Sequence, residues 1–191
     1  GLRVAAFVAD ITPPLGEPLA GGFCRPVATI EHPLLAKGAV LQDAGGTYVL
    51  CSLDLCALCN GSYDRYREAV AEAAGTSPSR VDLHEVQQHT AGIIDTDAQQ
   101  LLDRQEQPPT ICTPQYLTAA IRSTAAAVRQ AMQQLRPATH VGTGWAVVDR
   151  VASSRRIRML DGRIVARMSS TRDPMLKDLP EIGCMTRWPS P

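Results

Sequence analysis

Between Thr47 and Val86 the chain reads strand, helix, strand, and this succession limits the possible folds more than any other feature. The run Tyr48–Cys59 is apolar, and Thr47–Leu55 within it is predicted as a strand. Ser62–Ala74 is predicted as a helix, with Ser62 as its N-cap and Gly75 as its C-terminal stop. In Arg80–Val86 the residues Val81, Leu83 and Glu85 alternate with Asp82, His84 and Val86, an imperfect pattern that is more strand-like than helical. Two strands joined by a helix favour a parallel pair made through a right-handed crossover.

The flanking elements fit a sheet of this kind. An early strand is predicted at Arg3–Val8, followed by a loop from Thr12 to Gly22, where Pro13-Pro14 and Gly21-Gly22 forbid regular structure. A strand at Ala36–Gln42 leads through Asp43-Ala44-Gly45-Gly46, a hairpin turn, into the strand at Thr47. The clearest helix is Pro114–Leu135. Thr113 is its N-cap, Pro114 sits at the first helical position, and Leu117, Ile121, Thr124, Val128, Ala131 and Leu135 form one stripe. Arg136-Pro137 ends it. Strands recur at Thr139–Val147 and Ile157–Ala166, the second interrupted by Asp161-Gly162. The expected fold is mixed α/β, a sheet with two main helices packed on it, in a single domain over residues 1–191 that forms part of a larger catalytic domain.

Composition narrows the functional classes. The 191 residues are 45% hydrophobic and 20% charged, as in globular chains, and 19 basic residues balance 19 acidic ones. That balance gives no electrostatic case for a nucleic-acid partner or an acidic membrane surface. No apolar run approaches the roughly 20 residues that a transmembrane helix needs. The start at Gly1 and the end at Trp188-Pro189-Ser190-Pro191 read as a piece of a longer chain. The compartment is left open between cytoplasmic and secreted or periplasmic. The six cysteines are too sparse for a disulfide scaffold. Cys56 and Cys59 form a lone C-x-x-C without the second pair of a zinc ribbon. Cys51, Cys56 and Cys59 read as small buried residues, with a thiol redox role for Cys56 and Cys59 as the alternative.

The segment Arg80–Leu102, RVDLHEVQQHTAGIIDTDAQQLL, carries the candidate chemistry. On a continuing strand Gln87 and His89 would share a face, as the two imidazoles of a His-x-His pair do when they supply half a zinc site. A neutral amide is a much weaker zinc ligand than imidazole, so the segment reads as a metal-site strand with one ligand missing. Gln87 could hydrogen-bond a metal-bound water or a substrate, or mark a degenerate site. His84 falls on the other face and reads as solvated or structural. Asp95 and Asp97 suit a helix start, and Thr96-x-x-Gln99 fits a capping box. Asp54 ends a predicted strand, where a carboxylate usually satisfies backbone or pairs with a base, with a site role as the alternative. Arg155-Arg156 reads as a solvated basic face or as a clamp on a carboxylate or phosphate. Phosphate-loop, G-x-S-x-G, H-E-x-x-H and G-x-G-x-x-G signatures are missing.

These pieces occur in the order seen in a known family. VAAFVADITPPLGEPLAGG, HPLLAKGAVLQDAGGTYVLCSLDLCALCNG, RVDLHEVQQHTAG, HVGTGWAVVDRVASSRRIRMLDGRI and DPMLKDLPEIG together resemble the N-terminal part of the neutral/alkaline ceramidase-like proteins, especially the bacterial branch found in planctomycete-type genomes. Members carry H-T-H-S-G-P or H-Q-H-D-A-P where this chain has Gln87 to Gly92. Gln87 takes the first His position and His89 the second, with Thr90 in place of Ser or Asp and Gly92 in place of Pro. The resemblance implies a zinc-dependent hydrolase of an amide bond, acting on a small-molecule or lipid-like substrate, with the metal polarising the carbonyl. It implies His89 as a metal ligand, Asp95 as an orienting residue and Arg156 as a substrate contact. The remaining ligands and the nucleophile would come from the rest of the parent chain. The competing expectation is a degenerate, non-catalytic binding or structural module of the same fold.

Overall fold

The computed structural model describes residues 1–144, 146, 156–159 and 161–166. They belong to two compact units, Gly1–His140 and Val141–Pro191. The first unit contains β1 (Arg3–Asp10), β2 (Leu35–Asp43), β3 (Gly46–Leu53), β4 (Ala57–Leu58), α1 (Asn60–Ala74), β5 (Val81–Glu85), β6 (Ile93–Ile94), α2 (Thr96–Leu102), α3 (Pro114–Gln133) and β7 (Arg136–Pro137). A five-stranded sheet runs in the order β5-β3-β2-β1-β7, and β4 pairs with β6 in a separate two-stranded ladder. β3 and β5 are parallel, as the strand–helix–strand succession requires, while β1–β2, β2–β3 and β1–β7 are antiparallel. The mixed α/β expectation holds, with α2 as a third, short helix.

Alternation along the strands builds the core. Phe7, Cys51 and Leu83 share one register row with Gly38, and Ala5, Val40, Val49 and Val81 share another; all of these side chains are buried. α1 and α3 pack on each other and on this face through Tyr66, Val70, Leu117, Val128 and Ala131. Burying Val70, Leu117 or Val128 contributes about 1.5–3 kcal/mol each. The Tyr66 hydroxyl lies 2.6 Å from Thr124 Oγ1, so the one polar residue in the α3 stripe is satisfied across the helix pair. Val8, Tyr48 and Leu50 point to the opposite face and are exposed.

Several local expectations change at the ends of elements. α1 starts at Asn60, with Cys59 as a cap whose side chain makes no capping bond. Ser62 is therefore inside the first turn, fully buried, where it accepts the Thr96 amide at 3.0 Å. The helix starts earlier because Asp97 of α2 accepts the Gly61 amide, a cap delivered from a distant segment. Gly75 does stop α1, at φ 61, and its N–H bonds Ala71 O and Glu72 O. α3 opens as expected, with Thr113 Oγ1 accepting the Tyr116 amide, but it ends at Gln133. Arg136-Pro137 then pairs with β1. Residues 139–144 form no strand, and most of 145–147 lies outside the described residues. Gly142 and Gly144 have no side chain to pack a pleated surface there.

The second unit, within its described residues, is a hairpin of β8 (Arg156–Arg158) and β9 (Ile164–Ala166). Asp161 closes its turn by accepting the Arg163 amide at 3.0 Å. The expected interruption at Asp161-Gly162 is thus a reversal of the chain.

Candidate functional site

The segment 86–92 leaves the carboxyl end of β5 beside the end of β3, the edge of a parallel pair where ligands collect in α/β folds. Val86 N bonds Leu53 O at 3.2 Å and Gln87 N bonds Leu55 O at 3.0 Å, so the backbone is still tied to β3. Gln87 then adopts φ 60, in the left-handed region, and the strand alternation stops. The expectation that Gln87 and His89 share a strand face does not hold, because β5 ends at Glu85. Gln87, His89 and Thr90 form an exposed tip. The base of that tip is fixed: Ala91 O accepts the Ala20 amide at 2.8 Å and Gly92 O accepts the Cys56 amide at 3.0 Å.

The bond from Ala20 brings the Pro/Gly-rich loop against this tip. A half-open cleft of about 410 Å³ lies between them, lined by Thr90 from the tip and by Leu19, Val27, Ile30 and His32 among others from the loop. The walls are mainly apolar, and Glu31 and His32 supply the titratable groups. The loop is irregular yet internally tied, by Gly16 N to Val27 O at 2.8 Å, Val27 N to Glu17 O at 3.0 Å and Leu34 N to Thr12 Oγ1 at 3.0 Å. Glu31 and His32 were not readable as site residues, because only the backbone bonding of distant segments carries them to the tip. A second depression, of about 310 Å³ on α3, has Arg122 as its one charged lining residue.

Asp95 is placed as a cap. Its Oδ1 accepts the Ala98 amide at 2.9 Å and its Oδ2 accepts Asn60 Nδ2 at 2.7 Å. Thr96 does not cap α2; its hydroxyl meets Ser62 and Arg65 instead. Gln99 is buried, donates to Pro109 O and accepts the Ile111 amide at 2.7 Å, pinning the loop before α3. Asp54 Oδ2 accepts the Leu35 amide at 2.9 Å and so extends the β2–β3 ladder. His84 is exposed, 3.7 Å from Asp82. Arg156 belongs to the second unit, where it opens β8 opposite Ala166, and Arg155 lies outside the described residues.

The thiols are less uniform than expected. Cys51, Cys56 and Cys112 are buried, whereas Cys24 and Cys59 are partly exposed. Cys59 occupies the α1 N-cap, a position that ordinarily activates a thiol. Burial, followed by the charges of Asp95 and Glu85, pushes its pKa up instead.

Among the described residues, no three His, Cys, Asp or Glu side chains stand close enough together to hold a metal ion. A catalytic zinc takes three protein ligands, so the described residues alone do not fit one. Glu85 Oε1 and Gln88 Oε1, on either side of Gln87, are buried acceptors without a hydrogen-bond partner among those residues.

No family model matches the chain, and no curated protein is significantly similar to it in sequence. Its fold is similar to that of neutral ceramidase from Pseudomonas aeruginosa, at 17% identity and a TM-score of 0.53, over 71% of this chain and 22% of that one. A ceramidase solved in complex with C2 matches at 17% identity and a TM-score of 0.51, with the same coverage. The chain thus has a ceramidase-like α/β fold and spans about a fifth of the length of the structures it matches.

Proposed function

We propose that this chain is the N-terminal part of a ceramidase-like, zinc-dependent hydrolase that cleaves an amide bond in a small-molecule or lipid-like substrate. The observation that carries the proposal is the placement of His89. It is exposed on a tip anchored at the carboxyl end of the parallel pair, beside a largely apolar cleft, in a fold similar to neutral ceramidases. The resemblance of Gln87–Gly92 to the family's histidine motif points the same way, and assignment to the planctomycete-type branch rests on sequence resemblance alone. In this reading His89 is one zinc ligand and the parent chain supplies the others. Arg156 contacts substrate. Asp95 acts at a distance, by tying the start of α1 to the start of α2 through Asn60 Nδ2 and the Ala98 amide. The isolated chain binds metal weakly and turns over nothing, since one protein ligand does not make a catalytic zinc site.

Elemental analysis of the parent protein, with and without His89→Ala, tests this. The expected result is about one zinc per chain, lost in the variant together with hydrolysis of fatty amides. Unchanged zinc in His89→Ala would overturn the ligand assignment.

A second reading has its own observation. Gln87 stands at φ 60 and not on the strand face with His89, which suits a degenerate, non-catalytic member that keeps the fold for binding. A parent protein with neither zinc nor amidase activity would favour it.

A further inference from the structure

The C-x-x-C pair is divided by its own backbone. Between Cys56 and Cys59 the chain runs through β4, and Cys59 is itself extended at φ −125, ψ 158. Three extended residues advance the chain by about 10 Å, whereas a disulfide needs its Cα atoms within about 7 Å. The two sequence neighbours are therefore not a redox pair in this fold.

A different thiol is near Cys56. Leu19 and Cys24 face each other in an isolated antiparallel bridge that closes the turn around Ala20–Gly22. That turn is laid against the 91–94 segment by the Ala20 N to Ala91 O bond, and Cys56 is laid against the same segment by its bond to Gly92 O. The result is a small apolar cluster, separate from the main core, in which Ala20, Cys56 and Ala91 are buried and Cys24 packs from the rim. Burial first, and then the charge of Cys24, push the pKa of Cys56 up. Cys51 is sealed in β3 in the main core, and Cys112 is buried outside both clusters.

We propose that Cys24 and Cys56 form a reversible disulfide that staples the Pro/Gly-rich loop to the start of β4. With oxidised glutathione as oxidant the chemistry balances. The more exposed Cys24, as thiolate, attacks one sulfur of the glutathione disulfide and expels a glutathione thiolate, leaving a mixed disulfide on Cys24. The Cys56 thiolate then attacks Cys24 Sγ and expels the second glutathione. The two thiol protons end on the two glutathione molecules. The protein loses two electrons and glutathione disulfide gains them. The bond closes one wall of the cleft onto the segment that carries Thr90 and His89, so its state sets how freely the loop can move over the tip.

The test is intact-mass and peptide mapping after equilibration with oxidised glutathione and quenching with a maleimide, on wild type, Cys24→Ser, Cys56→Ser and Cys59→Ser. The expected result is loss of two hydrogen masses and two fewer maleimide adducts in wild type and Cys59→Ser, and neither change in Cys24→Ser or Cys56→Ser. The oxidised protein should also melt higher than the reduced one, by roughly 5 °C or more, because the bond closes a long loop. Cys24→Ser alters only a partly exposed side chain, so it remains informative should Cys56→Ser fold poorly. A link that survives in Cys24→Ser, or full maleimide labelling of wild type under oxidising conditions, would overturn the proposal.

Discussion

Glu17 Oε1 accepts the Thr113 amide at 2.8 Å and Glu17 Oε2 accepts the Thr113 hydroxyl at 2.7 Å, so one carboxylate from the Pro/Gly-rich loop fixes the residue that caps α3. Glu17 is only 3% exposed. Its backbone oxygen also accepts the Val27 amide, which couples the cleft wall to the start of the longest helix. Replacing it with alanine leaves two part-buried Thr113 donors without an acceptor, at up to about 1–3 kcal/mol for each unsatisfied group. Urea denaturation should therefore show Glu17→Ala destabilised by about 2 kcal/mol or more, with Glu17→Gln closer to wild type because its amide oxygen can still accept one of the bonds. A loss below about 0.5 kcal/mol in Glu17→Ala would mean that water reaches the site.

The junction of α1 and α2 makes a second prediction, one of non-additivity. A Cβ on Gly61 would stand 2.6 Å from Asp97 Oδ2, the atom that accepts the Gly61 amide. Gly61→Ala must push that carboxylate away, and Asp97→Ala removes it, so both changes uncap the same helix end. Each should cost about 1 kcal/mol, the usual value of a cap. The double variant should cost little more than either single one, whereas unrelated effects would sum. An additive cycle in chemical denaturation would rule out Asp97 as the cap of α1.

Much of the fold was legible in the residues, because the physics that sets it is local. The β2–β3 hairpin follows from a turn flanked by alternating strands, the parallel β3–β5 pair from the intervening helix, and α3 from Thr113-Pro114 and a stripe of period 3.6. What failed was set at long range. Ser62 has the chemistry of a cap, but Asp97 arrives from α2 to take that role. Gln87 and His89 have the spacing of a strand pair, but Gln87 leaves the extended region while its amide still bonds Leu55 O. His89 could be singled out because histidine is a ligand type. Glu17, Glu31 and His32 could not, since their roles exist only once the irregular loop has folded back onto Ala91 and Thr113.

The conformation of Gln87 can be tested directly. A non-glycine residue in the left-handed region costs roughly 1–2 kcal/mol relative to the right-handed one, and glycine avoids that cost while losing some entropy on folding. Gln87→Gly should raise stability by up to about 1 kcal/mol, a gain that few exposed-site glycine substitutions give. Gln87→Ala should show no such gain. If glycine destabilises as it would in an ordinary strand, then the residue follows β5 in extended form and the strand-pair geometry with His89 is restored.

Alkaline pH provides the last prediction. Burial pushes the Cys51 thiol from its ordinary 9.0 up to about 12, and burial displaces the Tyr66 and Tyr116 hydroxyls upward as well. For a group whose folded pKa is raised, the folded state binds its proton more tightly than the unfolded one. The resulting stabilisation is complete below the unfolded value of 9.0 and is lost as pH rises toward the folded value of about 12. Within that window a fully displaced thiol reduces stability by about 1.4 kcal/mol per pH unit. Cys51→Ala removes this titration and adds a cavity cost that does not depend on pH. Urea midpoints measured between about pH 8 and 11 should therefore fall more steeply in wild type than in Cys51→Ala, so that the gap between them narrows as pH rises. The variant should still lose stability, through the two tyrosines. Parallel curves for the two proteins would mean that Cys51 ionises equally well folded and unfolded, and that β3 does not keep its thiol from water.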